Sequence, residues 1–307
     1  MRVGVIADIH GNVQALKTTL EYMKHIGCSE YLLLGDYVSD TASPIESMDL
    51  LYDLMKHYPC HALRGNREEY MLSQRAVRNG KSDGPVWISG SGSGNLLYTY
   101  EKLRERDFEF FSSLPICFRY SGKDSGGPDI TCVHGSMDNS RHLLQVGAAD
   151  TKKELASADT NYLIAAHTHI QGRMDEGGRS YLNTGSLGLA IGAPGHAHSI
   201  ILESSGEKSD PHWDVHFLAL PYDVRGTIAD LFDRGLHEMA PWFINNNIYI
   251  LRNGVDLTVE LVELAKKLKT QREGADNWPM VEEKYYEEAA FEVGIPNYTR
   301  DMALAAL

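Results

Sequence analysis

Seven residues of the chain carry side chains that ligate divalent metals, and all stand at or just beyond the ends of apolar runs: Asp8, His10, Asp36, Asn66, His134, His167 and His169. Asp8-Ile9-His10 follows Val3-Gly4-Val5-Ile6-Ala7, and Gly35-Asp36 follows Tyr31-Leu32-Leu33-Leu34. Arg64-Gly65-Asn66 closes Cys60-His61-Ala62-Leu63, Val133-His134-Gly135 ends a later run, and Ala166-His167-Thr168-His169 follows Tyr162-Leu163-Ile164-Ala165. Each piece alone is weak, since a DxH or a GD is common and a lone histidine is usually a satisfied core or surface residue. Their joint placement carries the information. In an extended segment, residues two apart project to the same side, so the Asp8 carboxylate and the His10 imidazole are expected to reach one ion. The glycines before Asp36 and Asn66 are expected to permit sharp turns that aim the next side chain across the sheet edge. Mixed ligation by imidazole nitrogen, carboxylate and an amide carbonyl suits Mn, Fe, Zn, Ni or Mg. No cysteine belongs to the set, which argues against a thiolate structural zinc site.

The elements that must position these residues alternate. Ala15, Leu16, Thr19, Leu20 and Met23 recur at helical spacing until Gly27. Ser43 and Pro44 open a second helix, with Met48, Leu51, Leu54 and Met55 as its apolar face. Strand and helix therefore alternate through residue 66, the α/β pattern in which sites gather beyond the carboxyl ends of strands. Ser89-Gly90-Ser91-Gly92-Ser93-Gly94 breaks the rhythm and reads as a mobile loop rather than a phosphate cradle, because no P-loop lysine follows it. Helical spacing resumes over residues 96–111. Strands are expected over residues 116–120, 129–133, 162–165, 180–183, 199–202 and 213–217. After Pro221 the texture turns helical, over residues 224–236, 257–269 and 282–293.

With 307 residues, 43% hydrophobic and 23% charged, the chain has ordinary globular composition and room for a core that holds a buried polar site. A net charge of −13 repels a phosphate backbone, so duplex nucleic acid is not an expected partner. A small phosphate ester is compatible with it, because metal ions reverse the local potential. No apolar stretch approaches the roughly 20 residues of a membrane helix, and no secretory leader is visible. Cys28, Cys60, Cys117 and Cys132 are scattered and expected to be reduced, so a soluble, cytoplasmic protein is expected.

The order of the clusters resembles that of the calcineurin-like metallophosphoesterases, whose motifs run DxH, GD, GN(H/x)(D/E), (G/V)H and GHxH. Here they read Asp8-Ile9-His10, Gly35-Asp36, Gly65-Asn66-Arg67-Glu68, Val133-His134 and Ala166-His167-Thr168-His169. Asn183-Thr184-Gly185-Ser186 and Pro221-Tyr222-Asp223-Val224 are similar to segments of the small bacterial and archaeal phosphodiesterase branch. The resemblance implies an α/β fold, a four-layer αββα sandwich of two mixed sheets with flanking helices. It implies one metal on Asp8, His10 and His169, another on Asn66, His134 and His167, and Asp36 bridging them. A carboxylate between two dications offsets their repulsion. The cofactor is thus two divalent ions, with manganese expected to serve in vitro. A hydroxide shared by both would attack phosphorus in a phosphomonoester or phosphodiester, nucleotides included, and Asp36, Arg67 and His134 are implied as catalytic.

Arg67 departs from the family, where a histidine after the asparagine is the presumed leaving-group acid. A guanidinium stays protonated and is a poor proton donor, but a good fork for phosphate oxygens. Arg67 is therefore expected to clamp substrate phosphate, or else to pair with Glu68 or Glu69 and order the loop. Without that acid, aryl oxide or phosphate leaving groups are favoured over alkoxides. Another histidine could compensate: His196 and His198 are expected near the cleft rim, with one of them facing substrate or else both serving as surface or supporting histidines. Residues 1–220 are expected to form the metallophosphoesterase domain, with 80–115 as a cap or loop insertion and 221–307 as a helical extension. Two other readings stand beside the hydrolase: a scaffold or binding protein on the same fold with weak catalysis, which predicts missing ligands, and a single-strand nuclease, which the acidic charge opposes. Oligomeric state is left open.

Overall fold

Val3 and Val5 point to one side of the first strand, Gly4 and Ile6 to the other, and both sides are buried, as expected of a strand inside a layered α/β core. The computed structural model describes residues 1–123, 125–205 and 211–305. The chain runs β1 (Arg2–Ile6), α1 (Val13–His25), β2 (Glu30–Leu33), α2 (Pro44–His57), β3 (Cys60–Ala62), α3 (Asn66–Arg78), α4 (Gly94–Lys102) and α5 (Glu105–Ser113). It continues with β4 (Cys117–Tyr120), β5 (Ile130–Val133), α6 (Ala149–Ser157), β6 (Tyr162–Ala165), β7 (Gln171–Glu176), β8 (Arg179–Thr184), β9 (His196–Ser205) and β10 (His212–Pro221). The helices α7 (Val224–Asp233), α8 (Leu236–Met239), α9 (Pro241–Asn253), α10 (Thr258–Glu273), α11 (Glu283–Val293) and α12 (Arg300–Leu304) follow.

The strands form two mixed five-stranded sheets, ordered β10-β9-β1-β2-β3 and β4-β5-β6-β8-β7. Side-chain alternation along the strands separates the layers. Val3, Val5, Leu32, Leu34 and Leu202 meet Ile130, Cys132, Ile164 and Leu182 between the sheets. Ile6, Tyr31 and Leu33 turn the other way, onto Leu16, Leu20 and Met23 of α1 and Leu51 and Leu54 of α2. Leu163, Ala165 and Tyr181 cover the far side of the second sheet with Leu155 of α6. The result is the four-layer α/β sandwich. No helix among the described residues is long and apolar enough to cross a membrane.

Several elements were not visible as patterns. α3 buries a largely polar face, Asn66, Glu68, Met71 and Gln74, and β7 is a partly exposed edge strand. α9 contains Asn245-Asn246-Asn247, poor helix formers that are nevertheless buried. Asn246 Nδ2 donates to Thr258 Oγ1 at 2.8 Å, and Asn247 Nδ2 to the Asp40 carbonyl at 2.8 Å. The helices beyond Pro221 pack back onto the sandwich through Ala42, Tyr98 and Leu189; the last two residues of the expected extension lie outside the described ones.

The expectation of a mobile loop over Ser89–Gly94 is corrected. Ser91 and Ser93 are buried. Glu283 accepts from Ser91 N at 2.5 Å and Ser91 Oγ at 2.8 Å, and Gly90 N donates to the Met239 carbonyl at 2.8 Å. The glycines allow backbone contact that a side chain would block: a Cβ on Gly94 would sit 1.8 Å from the Met239 carbonyl oxygen. Gly94→Ala therefore sets two effects against each other. Helix propensity alone favours alanine by up to about 1 kcal/mol, whereas the clash with a fixed backbone costs about 1–3 kcal/mol. The expected outcome is a lower urea unfolding midpoint; a raised midpoint would show that α8 yields freely.

Candidate metal centre

The ligand residues leave their strands by an unusual route. Asp8, His10, Asp36, His167 and His169 all have positive φ, between 51° and 66°. Non-glycine residues rarely adopt this left-handed conformation, and it costs about 1–3 kcal/mol where it occurs. Asp8 and His10 therefore do not converge as alternate residues of an extended segment: β1 has ended at Ile6, and a left-handed turn brings both side chains to one place. Of the two glycines, Gly35 has φ +86°, while Gly65 is required for space, since a Cβ there would lie 2.2 Å from Asp36 Oδ1.

The side chains meet in two adjoining groups, Asp8, His10 and His169 in one and Asp36, His134 and His167 in the other. His10 Nε2 lies 2.9 Å from His169 Nε2 and 3.6 Å from Asp8 Oδ1, and His169 Nε2 lies 3.4 Å from the same oxygen. Donors bound about 2.1 Å from one ion stand roughly 3 to 3.5 Å apart, so these spacings suit a shared cation. In the second group Asp36 Oδ2 is 3.5 Å and Asn66 Oδ1 3.1 Å from His134 Nε2. The groups touch: Asp36 Oδ2 is 3.9 Å from His10 Nε2, and Asp8 Oδ1 is 3.9 Å from His134 Nε2.

A further layer holds these groups in place. Glu68 accepts from Asp36 N, Tyr37 N and Gly65 N, all at 2.8 Å, tying the turn after β2 to the turn after β3. Burial, with the Asp36 charge beside it, pushes the Glu68 carboxyl up to about 7. Ser186 Oγ donates to the Asp8 carbonyl at 2.9 Å, and Asn183 Nδ2 to the Ala166 carbonyl at 2.8 Å, so the Asn183–Ser186 segment braces both histidine-bearing turns. His134 Nδ1 faces the Leu34 carbonyl at 2.7 Å and His10 Nδ1 faces Asp40 Oδ2 at 3.1 Å. Both contacts favour a proton on Nδ1 and leave Nε2 turned to the ligand cluster.

The electrostatics test whether the cluster fits a cation. Asp8 Oδ1 is buried and accepts no hydrogen bond, a state that is costly for a carboxylate unless a cation or proton answers it. Burial disfavours charge on His10, yet the carboxylates of Asp40 and Asp8 outweigh it and hold the imidazole at about 10. His134 reaches about 9 in the same way, burial being overcome by Asp36 and Asp8. Burial opposes ionisation of Asp36 too, but the charge of His134 draws it down to about 2. The buried carboxylates thus favour positive charge among them, and the donor set fits divalent metal.

Arg67 lies at this cluster. Its backbone N–H donates to Asp36 Oδ1 at 2.8 Å, and its Nη2 pairs with Asp40 Oδ2 at 2.7 Å. Glu68 and Glu69 are not its partners; Glu69 instead receives the Ser140 hydroxyl at 2.7 Å. The cleft over the centre, about 420 Å³, is lined by His10, Asp36, Asn66, Arg67, His167 and His169, among others. His196 and His198 do not line it. They stand on β9, paired with Pro221 and Ala219 of β10. His196 Nδ1 faces the Pro194 carbonyl, and His198 is buried against Gly185. Burial, with His196 nearby, lowers His198 to about 4. Asp40 was missed: no motif marks it, although its contact with His10 and Arg67 and its positive φ of 69° place it in the centre's supporting layer.

The profile of the family "Calcineurin-like phosphoesterase" matches residues 1–191, and the chain belongs to that family. An uncharacterized protein of Methanocaldococcus jannaschii is 28% identical over 114 residues, 37% of this chain and 42% of that protein. A PP2A-like serine/threonine-protein phosphatase of Saccharomyces cerevisiae is 25% identical over 156 residues, 50% of this chain and 38% of that protein. The matched stretch spans less than half the length of either relative. A hypothetical protein from Pyrococcus horikoshii OT3 superposes with a TM-score of 0.65 at 20% identity, over 83% of this chain and 99% of that one. A metallophosphoesterase from Sphaerobacter thermophilus gives 0.57 at 20% identity, over 76% and 94%. At such identity the likeness is one of fold.

His10 and His134, raised to about 10 and 9, carry protons at pH 7.5 in metal-free protein. Ligation requires their neutral forms, so metal loading should release about two protons at pH 7.5, and affinity should rise with pH up to about 9–10. Stability follows the same sign: the contribution of these raised groups is fully present below their unfolded value of about 6.5 and is lost as pH rises through 9 to 10. Calorimetry of metal binding in buffers of different ionisation enthalpy measures the release, and buffer-independent heat would contradict it.

Proposed function

We propose that this calcineurin-like phosphoesterase hydrolyses phosphoric esters using two divalent ions, one held by Asp8, His10 and His169 and the other by Asn66, His134 and His167, with Asp36 between them. The observation that carries the reading is the convergence of these side chains in touching groups around a buried carboxylate oxygen, Asp8 Oδ1, that has no hydrogen-bond donor. Ions held there supply Lewis acidity to a phosphoryl group and lower the pKa of a water molecule. Manganese is the metal we expect to serve in vitro.

The chain's own groups divide the remaining work. Asp40 keeps His10 oriented, and Glu68 keeps Asp36 in its turn. Arg67 lines the cleft, and its Nε has no hydrogen-bond partner among the described residues. That guanidinium can bind phosphoryl oxygens in the charge-assisted manner of arginine. It cannot supply a proton to a departing alkoxide, because it stays charged at any working pH and its ion partners Asp40 and Asp36 outweigh burial to raise its pKa further. Small esters whose leaving oxygen needs no proton, such as aryl oxide or phosphate, are therefore the expected substrates.

The direct test is a panel of aryl monoesters and diesters on metal-free protein reconstituted separately with Mn, Ni, Zn and Mg. Turnover with at least one metal, abolished by Asp36→Asn, is expected; silence with every metal overturns the reading. Arg67→Ala should lower kcat/KM for an activated aryl ester by about tenfold to a hundredfold. A wild-type value would remove Arg67 from phosphate binding.

A further inference from the structure

A second cavity, of about 430 Å³, opens beside the metal cleft. The two share Arg67, Tyr70 and Phe243 as walls, so they adjoin one another. Their chemistry differs. The first presents metal-ligating side chains, whereas the second is walled by Tyr70, Trp87, Phe243 and Trp278, with Val262 behind them. Its volume lies within the range of about 300–1,000 Å³ typical of small-molecule sites.

Two guanidinium groups, Arg67 and Arg141, and one carboxylate, Asp83, line the cavity. The Arg141 guanidinium stands 4.7 Å from the centre of the Tyr70 ring, with Arg67 at 5.8 Å from the same ring. Arg67 pairs with Asp40 through Nη2 and also lines the metal cleft. Arg141 is exposed and makes no ion pair among the described residues, so its charge remains available to a ligand. The walls are held firmly. The Ser89–Gly94 run, beside Trp87, is bonded to Glu283 of α11 and to the Met239 carbonyl, and Trp87 N donates to Gln74 Oε1 of α3 at 2.8 Å. Phe243, Val262 and Trp278 all lie beyond residue 191, where the family match ends.

We infer that this cavity is a subsite for the organic group of the phosphoester and takes a flat aromatic group that carries negative charge close to it. The inference rests on the reading of the adjoining cleft as the phosphoester site. Aromatic walls recognise a flat π-system by stacking, and the unpaired Arg141 matches an anionic substituent. An alkyl group would use neither feature.

The test reads binding, not turnover. Metal-free protein is titrated with adenosine monophosphate, as an aromatic anionic probe, and with glycerol phosphate as the alkyl control, while tryptophan fluorescence is followed. Saturable binding of adenosine monophosphate, at least about tenfold tighter than glycerol phosphate, is expected. Arg141→Ala, a change on the exposed surface that leaves the fold intact, should weaken it about tenfold or more. Val262→Trp should abolish it by filling the cavity, with circular dichroism checking that the variant is folded. Equal affinity for both probes, or adenosine monophosphate binding unchanged in Arg141→Ala, overturns the subsite. Aryl-ester turnover by the manganese-loaded wild type is scored separately. Turnover without adenosine monophosphate binding sinks the subsite alone, and binding without turnover supports the subsite while the hydrolase reading fails.

Discussion

Asp8, Asp36 and Asp40 are buried within a few ångströms of one another and of four imidazoles, and the rest of the structure answers to that crowding. A buried carboxylate without a counter-charge is strongly unfavourable. Here the counter-charge is supplied in layers, from Arg67 on Asp40, from backbone N–H groups on Asp36 and Asp8, and from the histidines themselves. Neutral side chains would relieve the repulsion and would also remove the affinity for a cation. The arrangement is therefore built for charge that arrives from outside the chain.

The sandwich makes that arrival depend on both sheets. Asp8, His10, Asp36 and Asn66 follow strands of the first sheet, whereas His134, His167 and His169 follow strands of the second. Neither group of ligands is complete on one sheet: His169 crosses to Asp8 and His10, and Asp36 crosses to His134 and His167. The apolar layer between the sheets, from Val3 and Leu34 to Cys132 and Ile164, thus fixes the spacing of the donors. An ion bound there joins the two sheets, so binding energy adds to the stability of the sandwich. The strained turns at the ligands are affordable because Glu68, Asn183 and Ser186 restrain them from behind.

The convergence of these candidate ligands was legible because each closes a short apolar run, and chain direction alone places such residues at one edge of a parallel sheet. Their conformation was not, since a left-handed turn at Asp8 or His167 depends on contacts with Ser186 and Asn183 far away in sequence. The same distance hid Asp40, whose role exists only when His10 and Arg67 fold against it. The Ser89–Gly94 run has the composition of a flexible loop, but a hydrogen-bonding partner about 190 residues later makes it rigid. His196 and His198 were misplaced for a related reason. Alternation of a strand gives the face of a side chain, and the pairing of β9 with β10 decides which region that face meets.

The helices after Pro221 connect the two cavities physically. Asn247 of α9 donates to the Asp40 carbonyl and lines the metal cleft, while Phe243, one turn earlier on the same helix, lines both cavities. A shift of α9 would therefore move the support of His10, through Asp40, together with the wall beside Tyr70. α9 is in turn anchored by Asn246 on Thr258 at the start of α10 and by Trp242 N on the Ser91 hydroxyl. Support of His10, through Asp40, and one wall of the adjoining cavity thus meet on a single helix, which lies outside the stretch matched to the family. A change at Phe243 would alter the wall beside Tyr70 without touching Asp8, His10 or Asp36.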